Sequence, residues 1–145
     1  MEKNYREEID KINYLTTEID ALYHLSSVKF GVSDSESMIL YCLLDCENEC
    51  PLSEIYKVSG ISKQTIHSAI RNLEKKRYIV LAQMDGKSKK VIFTEKGKDF
   101  ADRTVARLFE AENSAFQDWS KEEIRTYIHL TERFLSVFKT EVDKL

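Results

Sequence analysis

The sequence predicts a mainly α-helical protein with one small β-hairpin. Most of the 145-residue chain repeats apolar residues at the three- and four-residue spacing of amphipathic helices. Only residues 78–93 change to short β-branched and aromatic runs around a turn. One proline and four glycines leave little room for long loops or a β-sandwich. The length suits one domain with its own core, which we expect to span residues 1–145.

Four helices are predicted before the hairpin. An apolar stripe marks the first over about residues 7–27, and Ser33 with Glu36 forms a capping box that begins the second. A short third helix covers residues 52–58, and a fourth runs from its cap at Ser62 to Lys76. The residues expected to face inward on the last two are Leu52, Ile55, Tyr56, Val58, Ile66, Ala69, Ile70 and Leu73.

The hairpin and two further helices complete the chain. The runs at residues 78–81 and 91–93 flank an Asp85-Gly86 pair, which is a strong hairpin signal. Thr94 then caps one long helix, and Ser120 caps the last. Both terminal helices are too apolar around their circumference for a lone small domain to cover. A partner chain is the simplest cover, and a monomer that folds the two helices together is the alternative.

Two short helices joined by residues 59–62 match the helix-turn-helix unit, whose turn often contains glycine. The second helix of that unit enters the DNA major groove and reads bases near its N-terminus. Its polar face offers glutamine, arginine and hydroxyl groups, which suit base edges, and its capped N-terminus suits a phosphate. The residues predicted to contact DNA from this helix are Ser62, Lys63, Gln64, Thr65, His67, Ser68 and Arg71.

Charge is distributed unevenly along the chain. The net charge is −3, yet residues 61–98 contain ten Lys or Arg and only three Asp or Glu, a local charge of +7. Such a block suits a phosphate-binding surface, although a merely solvated basic face has the same composition. Within the hairpin we expect Lys87 and Lys89 to contact phosphates. We assign no DNA contact to Lys90, because strand alternation points its side chain to the opposite face from Lys89.

The hairpin and its surroundings resemble the MarR family of winged-helix regulators. The family's wing pattern, Asp-x-Arg followed by an apolar strand and Leu-Thr-x-x-Gly, lies in register with residues 85–97. Lys87 stands at the arginine position, and Arg77 stands where the family commonly ends a helix with glycine. The resemblance covers essentially the whole chain and implies a winged helix-turn-helix region at residues 33–98. It also implies dimerisation helices at 1–30 and 99–145.

We therefore expect a cytoplasmic transcriptional regulator, a repressor, that binds double-stranded DNA sequence-specifically. The resemblance implies a homodimer on a pseudo-palindromic operator, with wing tips at the minor groove and a cleft for a small-molecule effector. His24 on the first helix is the candidate effector residue. The alternative is a protein-interaction module that uses the winged helix without binding DNA.

Other classes of protein have little support in the sequence. Catalytic signatures such as Gly-x-Ser-x-Gly, His-Glu-x-x-His and phosphate-binding glycine loops are absent, so no enzyme and no cofactor are expected. No apolar run approaches the roughly 20 residues of a membrane span, and the N-terminus lacks a signal peptide's apolar stretch. We predict no membrane partner and no metal site.

Three cysteines, Cys42, Cys46 and Cys50, are spaced by four residues. One interpretation is that they are small buried hydrophobic residues, as free cysteine often is. The other is a redox- or metal-sensing group, although no Cys-x-x-Cys or histidine pairing accompanies them.

Overall fold

The computed structural model describes residues 3–145, so the first two residues of the predicted 1–30 segment lie outside it. Seven helices and three strands occupy the described chain. In order they are α1 (Arg6–Phe30), α2 (Asp34–Asp45), β1 (Glu49–Pro51), α3 (Leu52–Ser59), α4 (Lys63–Lys75), β2 (Ile79–Gln83), β3 (Lys89–Phe93), α5 (Glu95–Arg103), α6 (Val105–Ala115) and α7 (Lys121–Val142). The strands form one antiparallel sheet in the order β1-β3-β2. The predicted fold class, mainly helical with a small β wing, is confirmed.

The described chain groups into two compact units. One ends at Leu108, and the other spans Phe109–Leu145. A single apolar core lies in the first unit and draws on α2 to α5, the start of α6 and all three strands. Its largest fully buried side chains are Ile39, Leu40, Leu43, Ile55, Ile66, Leu73, Ile79, Val91 and Val105. Burying each contributes roughly 1.5–3 kcal/mol before conformational entropy is subtracted.

The predicted helix caps are confirmed. Ser33 and Ser120 each form a complete capping box, with Glu36 and Glu123 as the reciprocal partners. The Thr94 hydroxyl accepts the Gly97 amide hydrogen at 3.0 Å and caps α5. Each cap satisfies amides that the first turn of a helix leaves without partners, and this fixes where the helix begins.

A third strand, β1, is not among the elements that the sequence predicts. Cys50 pairs with Val91 of β3 and is fully buried. Glu47 and Asn48 adopt positive φ values of 59° and 81°, and they reverse the chain into this strand. Three residues cannot show a period, and the β3 partner lies about forty positions away, so no local pattern marks β1.

The single long helix predicted after Thr94 is wrong. Thr104 has φ −125° and ψ −88°, and it separates α5 from α6. Its hydroxyl donates a 2.7 Å hydrogen bond to the Phe100 carbonyl oxygen, an arrangement that bends helices. Val58 is also misassigned: predicted to face inward, it is 54% exposed in the last turn of α3, beside the exposed Gly60 turn.

Arg77 occupies a backbone position that favours glycine. Its φ is 62°, in the left-handed region. Its amide donates to the Glu74 carbonyl at 2.9 Å, and the Tyr78 amide donates to the Leu73 carbonyl at 3.0 Å. These two bonds close α4 as a Schellman motif. The chain therefore keeps the geometry that the family builds with glycine, at a cost of about 1–2 kcal/mol for a side chain in this region.

Gly97 is required by a close approach between two segments. A Cβ atom at this position would lie 1.8 Å from the Tyr78 carbonyl oxygen. The same carbonyl accepts the Thr94 amide hydrogen at 3.0 Å, which ties the start of α5 to the start of β2. Gly97 is thus the residue that lets α5 leave the hairpin at this distance.

The cysteines are mainly part of the core. Cys42 and Cys50 are buried, and burial raises the pKa of their thiols to about 11 and about 12. The Cys46 thiol is half-buried and donates to Cys50 Sγ at 3.2 Å. Both buried thiols are therefore protonated and uncharged at neutral pH. They pack in the core as small hydrophobic residues do.

Two further findings concern residues 3–145. No group of three or more His, Cys, Asp or Glu side chains in this range could hold a metal ion. None of the helices in the same range is both long and apolar enough to cross a membrane.

Candidate nucleic-acid interface

The core fixes which face of α4 is exposed. Helix α4 packs against α2 through Ile66, Ala69, Ile70 and Leu73, which are at most 3% exposed. This is the inner face that the sequence predicts. The opposite face is therefore solvent-exposed, and it contains all the predicted contact residues of this helix: Ser62, Lys63, Gln64, Thr65, His67, Ser68 and Arg71.

Glu36 fastens the end of α4 to the start of α2. Its Oε2 accepts the Ser33 amide hydrogen at 2.7 Å, and its Oε1 accepts from Lys76 Nζ at 3.0 Å. The Glu36 side chain is 6% exposed and the Lys76 side chain is 39% exposed, so the carboxylate is shielded from solvent while the ammonium stays partly hydrated. One carboxylate thus caps α2 and also anchors the last turn of the exposed helix.

The pKa of the Glu36 carboxyl is lowered. Burial opposes this by disfavouring the charged form, but the Ser33 amide and the Lys76 ammonium together stabilise the carboxylate more strongly. Glu36 is therefore ionised at neutral pH, when its link to Lys76 is fully formed.

Ser62 caps α4 as predicted. Its Oγ accepts the Thr65 amide hydrogen at 3.3 Å and donates to Thr65 Oγ1 at 2.9 Å. The two side chains engage each other at the helix start. A phosphate at this end would meet the outward backbone amides of the first turn together with these hydroxyls.

Tyr56 joins the surface from the neighbouring helix α3. Its hydroxyl lies 2.9 Å from His67 Nε2, and Lys63 Nζ lies 5.4 Å from the centre of its ring. Sequence reasoning assigned Tyr56 to the inner face only. Its hydroxyl was the available signal that Tyr56 also reaches the surface, because a half-buried phenol needs a hydrogen-bond partner.

A shallow concavity follows the exposed face of α4. It is lined by Gln64, His67, Ser68 and Arg71. These side chains carry the donors and acceptors that pair with base edges, and glutamine and arginine can do so with two hydrogen bonds.

The hairpin separates its lysines by strand alternation. Lys90 Nζ donates to Glu49 Oε1 at 3.0 Å, so its charge is paired across β3 and β1. Lys87, in the turn, and Lys89, opposite Gln83, are exposed. Neither has an ion pair with any residue between 3 and 145. The turn itself closes through a 2.8 Å bond from the Met84 amide to the Ser88 carbonyl oxygen.

Part of the basic block is neutralised inside the chain. Lys76, Lys90 and Lys98 pair with Glu36, Glu49 and Asp102. Within the described chain, the members of the block without an ion pair are Lys63, Arg71, Lys75, Arg77, Lys87, Lys89 and Lys96. The exposed α4 face and the wing therefore keep most of the uncompensated positive charge.

His24 lies away from this surface, in contact with the start of α2. Its Nδ1 is 2.9 Å from Asp34 Oδ2 and 3.0 Å from Asp34 Oδ1. The His24 hydrogen bond lowers the pKa of the Asp34 carboxyl. Burial opposes this, and a hydrogen bond with Ser27 adds a further lowering. The contact links α1 to α2, and the effector role of His24 stays a prediction.

Comparison with known proteins agrees with this arrangement. The family model described as MarR family matches residues 30–88, from the end of α1 to the wing turn. Over this winged-helix segment, the chain is similar to the MarR family. Among curated proteins, none matches the chain by sequence.

Solved MarR-family structures share the fold over most of the chain. The regulator NMB1585 from Neisseria meningitidis has a TM-score of 0.81 at 14% identity, covering 94% of this chain and 97% of its own. The MarR/EmrR family regulator from Acinetobacter sp. ADP1 has a TM-score of 0.70 at 21% identity, covering 99% of this chain and 100% of its own. The S. aureus MepR–DNA complex has a TM-score of 0.71 at 18% identity, covering 88% and 93%.

The Glu36 link yields a stability prediction. Glu36→Gln keeps an acceptor for the Ser33 amide but presents an uncharged amide to Lys76. We expect the free energy of unfolding to fall by about 1–3 kcal/mol at pH 7. The pKa of Glu36 is lowered on folding, so its contribution exists above the unfolded value and is lost as pH falls through the folded value. Urea titrations at pH 7 and at about pH 3 should show the difference shrinking in acid.

Glu74→Gln is the matched control. Glu74 lies exposed on α4, and no residue between 3 and 145 forms an ion pair with it. We expect its unfolding free energy to change by less than about 0.5 kcal/mol. Equal losses of unfolding free energy in the two variants would show that Glu36 acts through the net charge of the protein and not through its pair with Lys76.

Proposed function

We propose that this chain is a transcriptional regulator that binds double-stranded DNA sequence-specifically as a homodimer. The observation that carries the proposal is the exposed face of α4, held outward by the buried face behind it and rich in base-reading side chains. Helix α4 stands where a helix-turn-helix protein places its recognition helix. A structural neighbour, S. aureus MepR, was solved as a complex with DNA, which supports the same use of this fold.

The charge distribution supports DNA as the partner. Lys87 and Lys89 in the wing and Arg71 on α4 have no carboxylate partner within residues 3–145. Unpaired exposed cations attract phosphates and release counterions on binding. A protein-interaction module would not need them on the same surface as glutamine and arginine side chains suited to bases.

The apolar surfaces of the terminal helices support the homodimer. On α1, Ile12 is 59% and Leu22 is 65% exposed, and on α7, Phe134 and Leu135 are 63% and 64% exposed. None of the α7 side chains is buried within this chain. Several large apolar side chains exposed on one helix mark an interaction site in soluble proteins, and each of these two helices has such a set. We propose that a second copy covers it and that the paired recognition helices read a pseudo-palindromic operator.

Repression and effector release complete the proposal. A dimer that occupies an operator in the cytoplasm would block transcription, and a small molecule bound near α1 would release it. His24 is the candidate contact, since its imidazole is exposed next to Asp34. These roles rest on the family resemblance.

Base readout is tested on α4. We expect Gln64→Ala and Arg71→Ala to lose about 1–3 kcal/mol of discrimination at the base pairs they read, because two-point contacts to bases are lost. Binding to random duplex should weaken less. Competition between a selected operator and random DNA measures both quantities.

Lys75→Ala serves as the control for charge on the same helix. Lys75 is exposed in the last turn of α4, away from the end that meets bases. It should leave discrimination unchanged. Wild-type operator preference in both Gln64→Ala and Arg71→Ala would show that this face does not read DNA.

The wing lysines should behave in the opposite way. The Lys87→Ala/Lys89→Ala double variant should weaken operator and random duplex by similar factors, because flexible ammonium groups contact phosphates and not bases. Each lost contact should flatten the slope of log affinity against log salt by about 0.9. A salt titration of fluorescence anisotropy measures this slope.

Lys90→Ala is the matched control in the same strand. Its charge is already paired with Glu49, so the salt slope should stay at the wild-type value. An unchanged slope in the Lys87/Lys89 double variant would mean that the wing does not touch DNA, and the interaction-module alternative would then be favoured.

Dimerisation is tested by placing a charge on an apolar helix. Leu135→Glu should dissociate the dimer to monomers at micromolar concentration, since the new carboxylate would lose its hydration in the interface. Light scattering coupled to size exclusion measures the mass. Ser53→Glu adds the same charge at an exposed position of α3 and should remain dimeric. A wild-type monomer would contradict the proposed assembly.

A further inference from the structure

The turn of the wing is closed by two hydrogen bonds of different kinds. The Met84 amide donates to the Ser88 carbonyl oxygen at 2.8 Å, just beyond the ends of β2 and β3. Gln83, the last residue of β2, donates from Nε2 to the Gly86 carbonyl oxygen at 2.6 Å. A carbonyl oxygen only accepts hydrogen bonds, so the side-chain nitrogen of Gln83 is necessarily the donor. A side chain therefore fixes the direction of one carbonyl group at the wing tip.

This bond sets the orientation of the peptide that joins Gly86 to Lys87. A trans peptide is planar, and its C=O and N–H groups point in opposite directions. The Gly86 carbonyl points to the Gln83 side chain, so the Lys87 amide hydrogen points away from it. Gly86 holds the turn with a φ of 68°, a left-handed value that glycine adopts without strain. Within residues 3–145, no acceptor engages the Lys87 amide.

A phosphate is the partner that suits this amide. Backbone N–H groups donate to the phosphate oxygens of DNA alongside lysine and arginine side chains. The turn already carries the ammonium groups of Lys87 and Lys89, and neither has an ion pair within residues 3–145. Asp85 carries the one carboxylate of residues 83–89, so two lysines and one aspartate give this segment a charge of +1. An uncharged donor and two cations thus share one turn.

We propose that Gln83 is a positioning residue of the wing, which holds the Lys87 amide in the direction from which it donates to a DNA phosphate. This inference rests on the proposed function, and it adds a backbone contact to those of the lysine side chains. Gln83 acts through the Gly86 carbonyl and contributes no charge. The contact is the same on any DNA sequence, because phosphates carry no base identity.

Salt dependence distinguishes this role from that of the wing lysines. A lysine that neutralises a phosphate releases a counterion, whereas an uncharged amide has no charge with which to displace one. Loss of the Gln83 hydrogen bond should therefore weaken binding and leave the slope of log affinity against log salt at the wild-type value. In the Lys87→Ala/Lys89→Ala variant, weaker binding comes with a flatter slope.

The first experiment uses the full chain and a random-sequence duplex. Gln83→Met keeps the length of the side chain and removes its amide donor. We expect the affinity to fall about three- to tenfold, with an unchanged salt slope, as measured by fluorescence anisotropy. Val80→Met places the same residue at another exposed position of β2 and should bind as the wild type does.

Two substitutions at position 87 separate the backbone amide from the ammonium group. Lys87→Ala keeps the N–H, so adding Gln83→Met should weaken binding by the same factor as in the wild type. Lys87→Pro removes the N–H, so adding Gln83→Met should change the affinity no further. The φ of Lys87 is not positive, so its backbone is not in the region closed to proline.

NMR observes the contact itself and does not depend on the proline variant. The proton resonance of the Lys87 amide should move downfield when the wild type binds the duplex, and it should move less in Gln83→Met. An unshifted Lys87 amide in the bound wild type would overturn the inference. So would a flatter salt slope in Gln83→Met, or an equal loss of affinity in the Lys87→Pro background.

The same titrations separate this inference from the proposed function. A wild type that binds no duplex DNA would overturn the proposed function as well. A wild type that binds DNA, beside a Gln83→Met variant of equal affinity, would overturn this inference alone.

Discussion

The burial of one face of α4 against α2 is the constraint on which the surface depends. Ile66, Ala69, Ile70 and Leu73 can be removed from water in only one rotation of the helix, so the polar side chains opposite them have only one direction to face. The Glu36–Lys76 ion pair then limits sliding or tilting at the C-terminal end. Hydrophobic burial supplies most of the free energy of folding, and the ion pair helps to fix the orientation of α4. A surface that recognises another molecule needs both.

The sequence predicts this arrangement well where short-range patterns determine it. Capping boxes at Ser33 and Ser120 mark helix starts, because a cap needs two residue types at a fixed spacing. The 3.6-residue period of α4 separates its buried and exposed residues, and the period-two alternation of β3 separates Lys89 from Lys90. In each case the physical cause lies within a few residues of its effect.

What the sequence does not reveal depends on contacts between distant segments. Cys50 becomes a strand residue only because Val91 lies beside it. Thr104 leaves the helical conformation, with φ −125° and ψ −88°, inside a strongly helical pattern. Tyr56 is correctly predicted to pack inward, but its hydroxyl reaches His67 eleven positions further along the chain. A hydrophobic pattern assigns each residue either to the buried face or to the exposed face of a helix. The ring of an amphipathic side chain such as Tyr56 can be buried while its hydroxyl is at the surface.

Gly97 shows a different kind of constraint, because the atom it approaches is the carbonyl oxygen of Tyr78 and not a side chain. A clash between two side chains can be relieved by making the second one smaller, and such pairs change together over generations. A clash with main chain cannot be relieved in this way, since every residue type at position 78 carries the same carbonyl group. Position 97 should therefore tolerate no substitution and have no covarying partner. Among related sequences we expect glycine to be invariant at position 97, and we expect no other position to covary with it.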